Sequence, residues 1–551
     1  MKKTSFHSPR RTGAILLLSL LAAFGQAAHA APGKEAWVAD LGNGRYQNPI
    51  LNADYSDPDG VRVGDTYYMT ASSFNSAPGL PLLQSKDLVN WTLVGHALPK
   101  LVPSAHFAKP RTGQGVWAPS LRHHDGKFWI FYPDPDFGIY VITAKDFAGP
   151  WSEPHLLLPG KGIIDPAPLW DEDGKAWLIH AWAKSRAGVN NFLTLRSMSP
   201  DGKRLLDLDG KVIIDGNKLP GYRTLEGPKL YKHEGWYYVF APAGGVEEGW
   251  QSVFRSRSIG GPYEDRIVLE QGETAINGPH QGAWMRAQDG KDWFIHFQDR
   301  KAYGRVTHLQ PMTWVDGWPI MGQPGPKPGI GNPVTSWVKP VAGLPLAVPP
   351  TTDEFGGKTL GLQWQWNANP QAGWYSLAAR PGYLRLPVMA YPESKGFVRA
   401  APNILTQKLP ATAFTAETRI ELHKAADGDR AGLILNGMSY ANLGLRKQGG
   451  ELQLVYTTCT PFKPRCTENE TVLLPKAPNA ITLRMSMAEG AQAQFLYSLD
   501  GKEFTPAGAP FAATKGHWVG AQMGLYSASD AARPSGAYLD ADYFRVSAAG
   551  N

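Results

Sequence analysis

Three carboxylates share one setting in this sequence. Asp57 precedes Pro58, Asp165 precedes Pro166, and Glu226 precedes Gly227-Pro228; each opens a short strand, a turn and an aromatic strand. Taken singly, an Asp before Pro is an ordinary turn or strand-end cap. Brought together, three such groups cannot all ionise easily, because repulsion and burial raise at least one pKa. A carboxylic acid facing a carboxylate across a cleft is the pair that cleavage of a glycosidic bond requires. Nearby Trp and Tyr would suit the faces of sugar rings.

The elements that would gather these acids form a repeat. SDPDGVRVGDTYYMTASS from Ser56, VWAPSLRHHDGKFWIFYP from Val116, IIDPAPLWDEDGKAWLIHAW from Ile163, LEGPKLYKHEGWYYVFAP from Leu225 and HQGAWMRAQDGKDWFIHF from His280 align on a turn followed by an alternating strand. Gly-Asp, Asp-Gly and Glu-Gly turns between such strands mark hairpins. Positions 57, 117, 165, 226 and 280 recur every 48–61 residues, enough for about four short strands each. Convincing amphipathic helices are absent. The expectation is an all-β chain whose first domain is a five-bladed β-propeller. Pseudo-symmetry then carries Asp57, Trp117, Asp165, Glu226 and, approximately, His280 to one mouth of a central channel, with slips of one residue between units.

SDPD at 56–59, WAPS at 117–120, IDPAPLWDEDGK at 164–175, LEGPKLY at 225–231, GPHQGAW at 278–284 and GRVTHLQPMTWVDGWP at 304–319 resemble glycoside hydrolase family 43, in the family's order, over about residues 45–325. The family includes β-xylosidases and α-L-arabinofuranosidases. The resemblance implies hydrolysis by single displacement with inversion. It makes Asp57 the general base, Glu226 the general acid, and Asp165 the group that orients the acid and raises its pKa. It places Arg305 by the terminal sugar and Trp117, His280 and Phe74 among substrate-binding residues. In some members the channel histidine, here His280, is associated with calcium; no carboxylate cage for such an ion is visible, and no cofactor is required. The stretch ASSFNSAPGLPLLQSKDLVNW at 71–91 looks like the exo-acting branches. The expected activity is an exo-β-1,4-xylosidase acting on xylo-oligosaccharides or arabinoxylan fragments, with α-L-arabinofuranosidase, or both activities, as the alternative. A retaining fructosidase, whose acid motif has Cys where Gly227 stands here, and a non-catalytic carbohydrate-binding propeller are more remote.

Beyond the repeat, QPGPKPGIGNP and VAGLPLAVPPTT read as a Pro/Gly-rich linker. The expected division is a signal peptide at 1–30, a propeller at 31–325, a linker at 326–352 and a jelly-roll-like β-sandwich at 353–551. Trp364 and Trp366 are expected in the sandwich core. Lys2, Lys3, Arg10 and Arg11, an apolar run from Ala14 to Phe24 and Ala28-His29-Ala30 form the leader, which implies a secreted or periplasmic protein. Removing it takes four basic residues and no acidic one from the formal charge of +7, leaving +3. With basic residues scattered, nucleic-acid binding is not expected, and after cleavage no membrane segment remains. Cys459 and Cys466, the two cysteines, are expected to pair as one local disulfide in an oxidising compartment.

Overall fold

Each blade begins with a hairpin, closed by a two-residue turn in blades I, II and IV and by five residues in blades III and V. In blade I, Asp59–Val63 pairs antiparallel with Thr66–Thr70 around Gly64-Asp65, and Gly79–Ser85 and Trp91–Leu98 follow outward. The computed structural model, which describes residues 1–2, 35–460 and 466–550, repeats this four-stranded order in blades II to IV, whose inner strands are Ser120–His124, Ile163–Trp170 and Lys229–His233. The expected leader lies almost wholly outside the described residues.

Blade V is built differently. It has His280–Arg286, Asp292–Asp299 and Arg305–Val315 in sequence order, but its outer position is taken by Leu51–Asp54 from the start of the domain. This pairing closes the ring and leaves no free edge between first and last blades. Five apolar cores fill the five seams between neighbouring blades: Met69 with Met285, Leu82 with Leu121, Phe131 with Leu178, Ile179 with Leu230, and Phe240 with Phe294. Alternation sends one face of each sheet to each seam. Among the described residues the single α-helix, Lys184–Ala187, has four residues.

The second domain is a sandwich of two antiparallel-rich sheets. One runs from Gln365–Trp366 to Glu468–Leu474, and the other contains Tyr538–Ala548, Phe414–His423 and Ala480–Ala488. Trp364 and Trp366 are 3% and 4% exposed and belong to its core. Trp366 also touches the propeller through its backbone, exchanging hydrogen bonds with Ala77. Tyr303 of the propeller reaches into the sandwich core, donating its hydroxyl to Thr412 O and accepting from Ala491 N. Cys459 and Cys466 form a disulfide.

The segment between the domains differs from a free tether. Gly331–Asn332 pairs with blade IV at Leu269, and Ser336–Val338 pairs with Arg45–Gln47. Lys339 then places its buried ammonium 2.8 Å from Asp87 Oδ2 and against Asp40. Pro and Gly set the turns of this stretch, but strand pairing and one buried cation lay its first half along the propeller.

Candidate active site

In four of the five blades, one residue at the start of the inner hairpin adopts an unusual backbone. Asp57, Asp165 and Gly227 have φ of 52°, 55° and 60°, and Gln281 in blade V has 36°. A left-handed conformation costs a non-glycine residue energy, and such strain collects at functional sites. In blades III and V it coincides with ladder irregularities between Ile164 and Ala167 and between His280 and Gly282. The twist points Asp57, Asp165 and Gln281 into the mouth. Glu226 and Trp117 stand one position earlier. Gly227 must be glycine, since a Cβ would lie 2.4 Å from Gln281 Cγ as well as at positive φ.

These residues enclose a cavity of about 270 Å³ lined by Asp57, Phe74, Trp117, Asp165, Glu226, Gln281, Arg305 and Trp518, among others. Six residues singled out from the sequence, Asp57, Phe74, Trp117, Asp165, Glu226 and Arg305, therefore share one pocket. Asp57 Oδ2 accepts hydroxyl hydrogens from Ser56 at 2.7 Å and Ser72 at 2.6 Å. Its Oδ1 lies 3.2 Å from Arg305 Nη1. Arg305 sits over the Phe297 ring at 4.9 Å. Asp165 Oδ2 accepts from Gly227 N at 2.8 Å and from Gln281 Nε2 at 3.3 Å. Burial foremost, then the charges of Glu226 and Asp57, push the Asp165 carboxyl well above the ordinary range.

His280 is placed differently from the expectation. It is fully buried and does not line the cavity; its Nε2 lies 3.0 Å behind Glu226, on Oε1. The irregularity after His280 gives the cavity-facing position to Gln281, which corrects the assignment of His280 to substrate contact. The residues also fit calcium poorly. His280 Nδ1 is buried without a protein partner, yet one nitrogen is no cage for a hard cation. Among the described residues no group of three or more His, Cys, Asp or Glu is arranged to hold a metal.

The sequence reading missed Trp518. It arrives from the sandwich, on a loop before Gln522–Ser529, and crosses the mouth with its ring 5.8 Å from Trp117 in an edge-on arrangement. Asp54, fully buried, anchors this loop. Its Oδ1 accepts from Arg305 N and its Oδ2 from Gly520 N, at 2.8 and 2.9 Å. Gly520 allows the approach, for a Cβ there would stand 2.7 Å from Gly304 N. Lys515 adds an ion pair with Glu247 at 3.1 Å. No sequence pattern marks Trp518, because its meaning comes only from the docking of two domains.

A five-bladed propeller with three carboxylates in an aromatic-walled mouth defines a glycoside hydrolase. Residues 46–319 match the model for glycosyl hydrolases family 43, and residues 352–547 match the β-xylosidase C-terminal concanavalin A-like domain. The chain belongs to glycosyl hydrolase family 43. It is 36% identical to a β-xylosidase of Formosa agariphila, over 96% of each chain. It is 31% identical to a non-reducing-end α-L-arabinofuranosidase of Bacteroides ovatus, over 72% of this chain and 75% of the other. The crystal structure of xylan β-1,4-xylosidase from Bacillus halodurans C-125 superposes with a TM-score of 0.78 at 26% identity, covering 91% of this chain and 99% of that one.

Proposed function

We propose that this hydrolase is an inverting exo-β-xylosidase that removes terminal xylose from xylo-oligosaccharides or arabinoxylan fragments. The observation that carries the reading is the shared cavity, in which Asp57, Asp165 and Glu226 stand under two tryptophans from different domains. A mouth crossed by the Trp518 loop favours a chain end over the middle of a polymer. Asp57 takes a proton from water as the water oxygen bonds to the anomeric carbon. Glu226 gives its proton to the leaving oxygen as the glycosidic bond breaks. Both groups return to their starting states by proton exchange with solvent.

Burial foremost, and repulsion from Glu226 and Asp57, push the Asp165 carboxyl up and favour its protonated form. Glu226, with 22% of its side chain exposed, is the acid a substrate reaches. Arg305 positions Asp57 and offers its charge to sugar hydroxyls. The leader and the disulfide support a secreted or periplasmic location.

The similarity to an arabinofuranosidase makes that activity the second reading. Initial rates on nitrophenyl β-xyloside and nitrophenyl α-L-arabinofuranoside, with the anomeric form of the first product followed by NMR, test both. Faster β-xyloside cleavage with α-xylose released first is expected. A higher kcat/KM on the arabinofuranoside would replace the first reading by the second, and β-xylose as first product would end the inverting mechanism.

A further inference from the structure

Lys229 lies three residues after Glu226, on the inner strand of blade IV, and is only 1% exposed. Lysine is seldom buried unless its charge is answered. Here Nζ donates to Pro119 O at 2.7 Å and Ser120 Oγ at 2.9 Å, both in blade II, and lies 3.5 Å from Asp59 Oδ2 in blade I. Asp59 Oδ2 also accepts from Leu121 N at 2.9 Å and Arg122 Nη1 at 2.8 Å. Arg122 in turn stands 5.3 Å from the Tyr231 ring centroid.

Sequence offsets give this cluster its place. Asp59, Ser120 and Lys229 are the first residues of the inner strands of blades I, II and IV, two positions after Asp57, Ala118 and Gly227. Asp165, which lines the pocket, accepts from Gly227 N two residues before Lys229, so the cluster adjoins the pocket wall, and its hydrogen bonds and ion pair tie blades I, II and IV to one another.

We propose that Lys229 is a positioning residue for catalysis: its ammonium fastens the inner strands of three blades and is a fixed positive charge beside Asp165. The proposal rests on the catalytic reading of those acids. The charged groups facing Lys229 are Asp59 from blade I, Arg122 from blade II and Asp165 from blade III; Tyr231 completes the titratable surroundings. Burial pulls the Lys229 ammonium down, while Asp59 and Asp165 hold it up; Lys229 in return draws the Asp165 carboxyl down. Removing the positive charge makes every nearby carboxylate easier to protonate. Removing the charge of Asp59 does the reverse, because it leaves Lys229 and Arg122 unbalanced.

The test is the pH dependence of kcat/KM on nitrophenyl β-xyloside for full-length wild type, Lys229→Met, Lys229→Arg and Asp59→Asn, each checked by circular dichroism. Lys229→Met is expected to move both limbs of the bell to higher pH by about half a pH unit or more. Asp59→Asn is expected to move them to lower pH, and Lys229→Arg to keep the wild-type position. A folded Lys229→Met with unmoved limbs overturns the proposal. If Lys229→Met does not fold, Asp59→Asn decides, and limbs that stay put overturn it. Failure of the wild type to cleave the pentoside would instead end the catalytic reading, so the two failures are distinct.

Discussion

Asp57 and Glu226 make different demands on a substrate, and single substitutions separate them. Asp57→Asn keeps the shape but cannot take a proton from water, so kcat is expected to fall by about 10²–10⁴-fold on every substrate. Glu226→Ala is expected to lose as much on xylobiose but far less on a nitrophenyl glycoside, whose leaving group needs little help from an acid. Equal losses on both substrates would remove Glu226 from the role of proton donor. At this scale the repeat made Asp57 and Asp165 readable, since each stands before a Pro in the first hairpin segment of its blade. Glu226 was readable from its motif, but the repeat alone put it level with Asp165. The positive φ at Gly227 shows that Glu226 stands one residue earlier, and in a strand one residue exchanges the two faces. His280 was misplaced for the same reason. Lys229 drew no notice because alternation marked only a strand residue, and a buried ammonium depends on partners in two other blades.

The loop that ends at Gly520 is the element with most influence on the pocket from outside the propeller. Trp518 is 40% exposed, so truncating it removes little core. Trp518→Ala is expected to lower kcat/KM roughly tenfold, about 1.4 kcal/mol, with an unchanged melting temperature. Nitrophenyl xyloside kinetics and a thermal scan check both halves; unaltered kinetics would mean that the ring only covers the site. The hairpins of all five blades were legible because turn residues and alternation repeat in each. The outer strand of blade V was not, since Leu51–Asp54 lies far from its partner Arg305–Val315 in sequence. The stretch after residue 323 misled in another way: Pro and Gly describe turns, and they are silent about a neighbour to pair with.

Across the molecule, stability carries a pH signature in a group that does not itself line the catalytic pocket. Asp134 ends the second strand of blade II, is 2% exposed, and has Oδ2 without a partner. Burial raises its carboxyl to about 7. The unfolded value is about 3.9, so between those values the folded chain binds the extra proton. Its contribution to stability is full below about pH 4 and is lost as pH rises through about 7. Asp134→Asn cannot ionise. Relative to wild type its melting temperature is expected to be higher by a few degrees at pH 8 and no higher at pH 4.5, by calorimetry. A difference independent of pH would show that the group does not titrate in the fold.

The carboxylate of Asp54 has one oxygen on the propeller's Arg305 and the other on the sandwich's Gly520, which joins the two ends of the chain's history as well as its two domains. A ribosome delivers Asp57 long before Trp518. A nascent chain can carry all three acids and a closed ring of blades while the last wall of the pocket is still untranslated. The pocket is thus complete only after the second domain has been made.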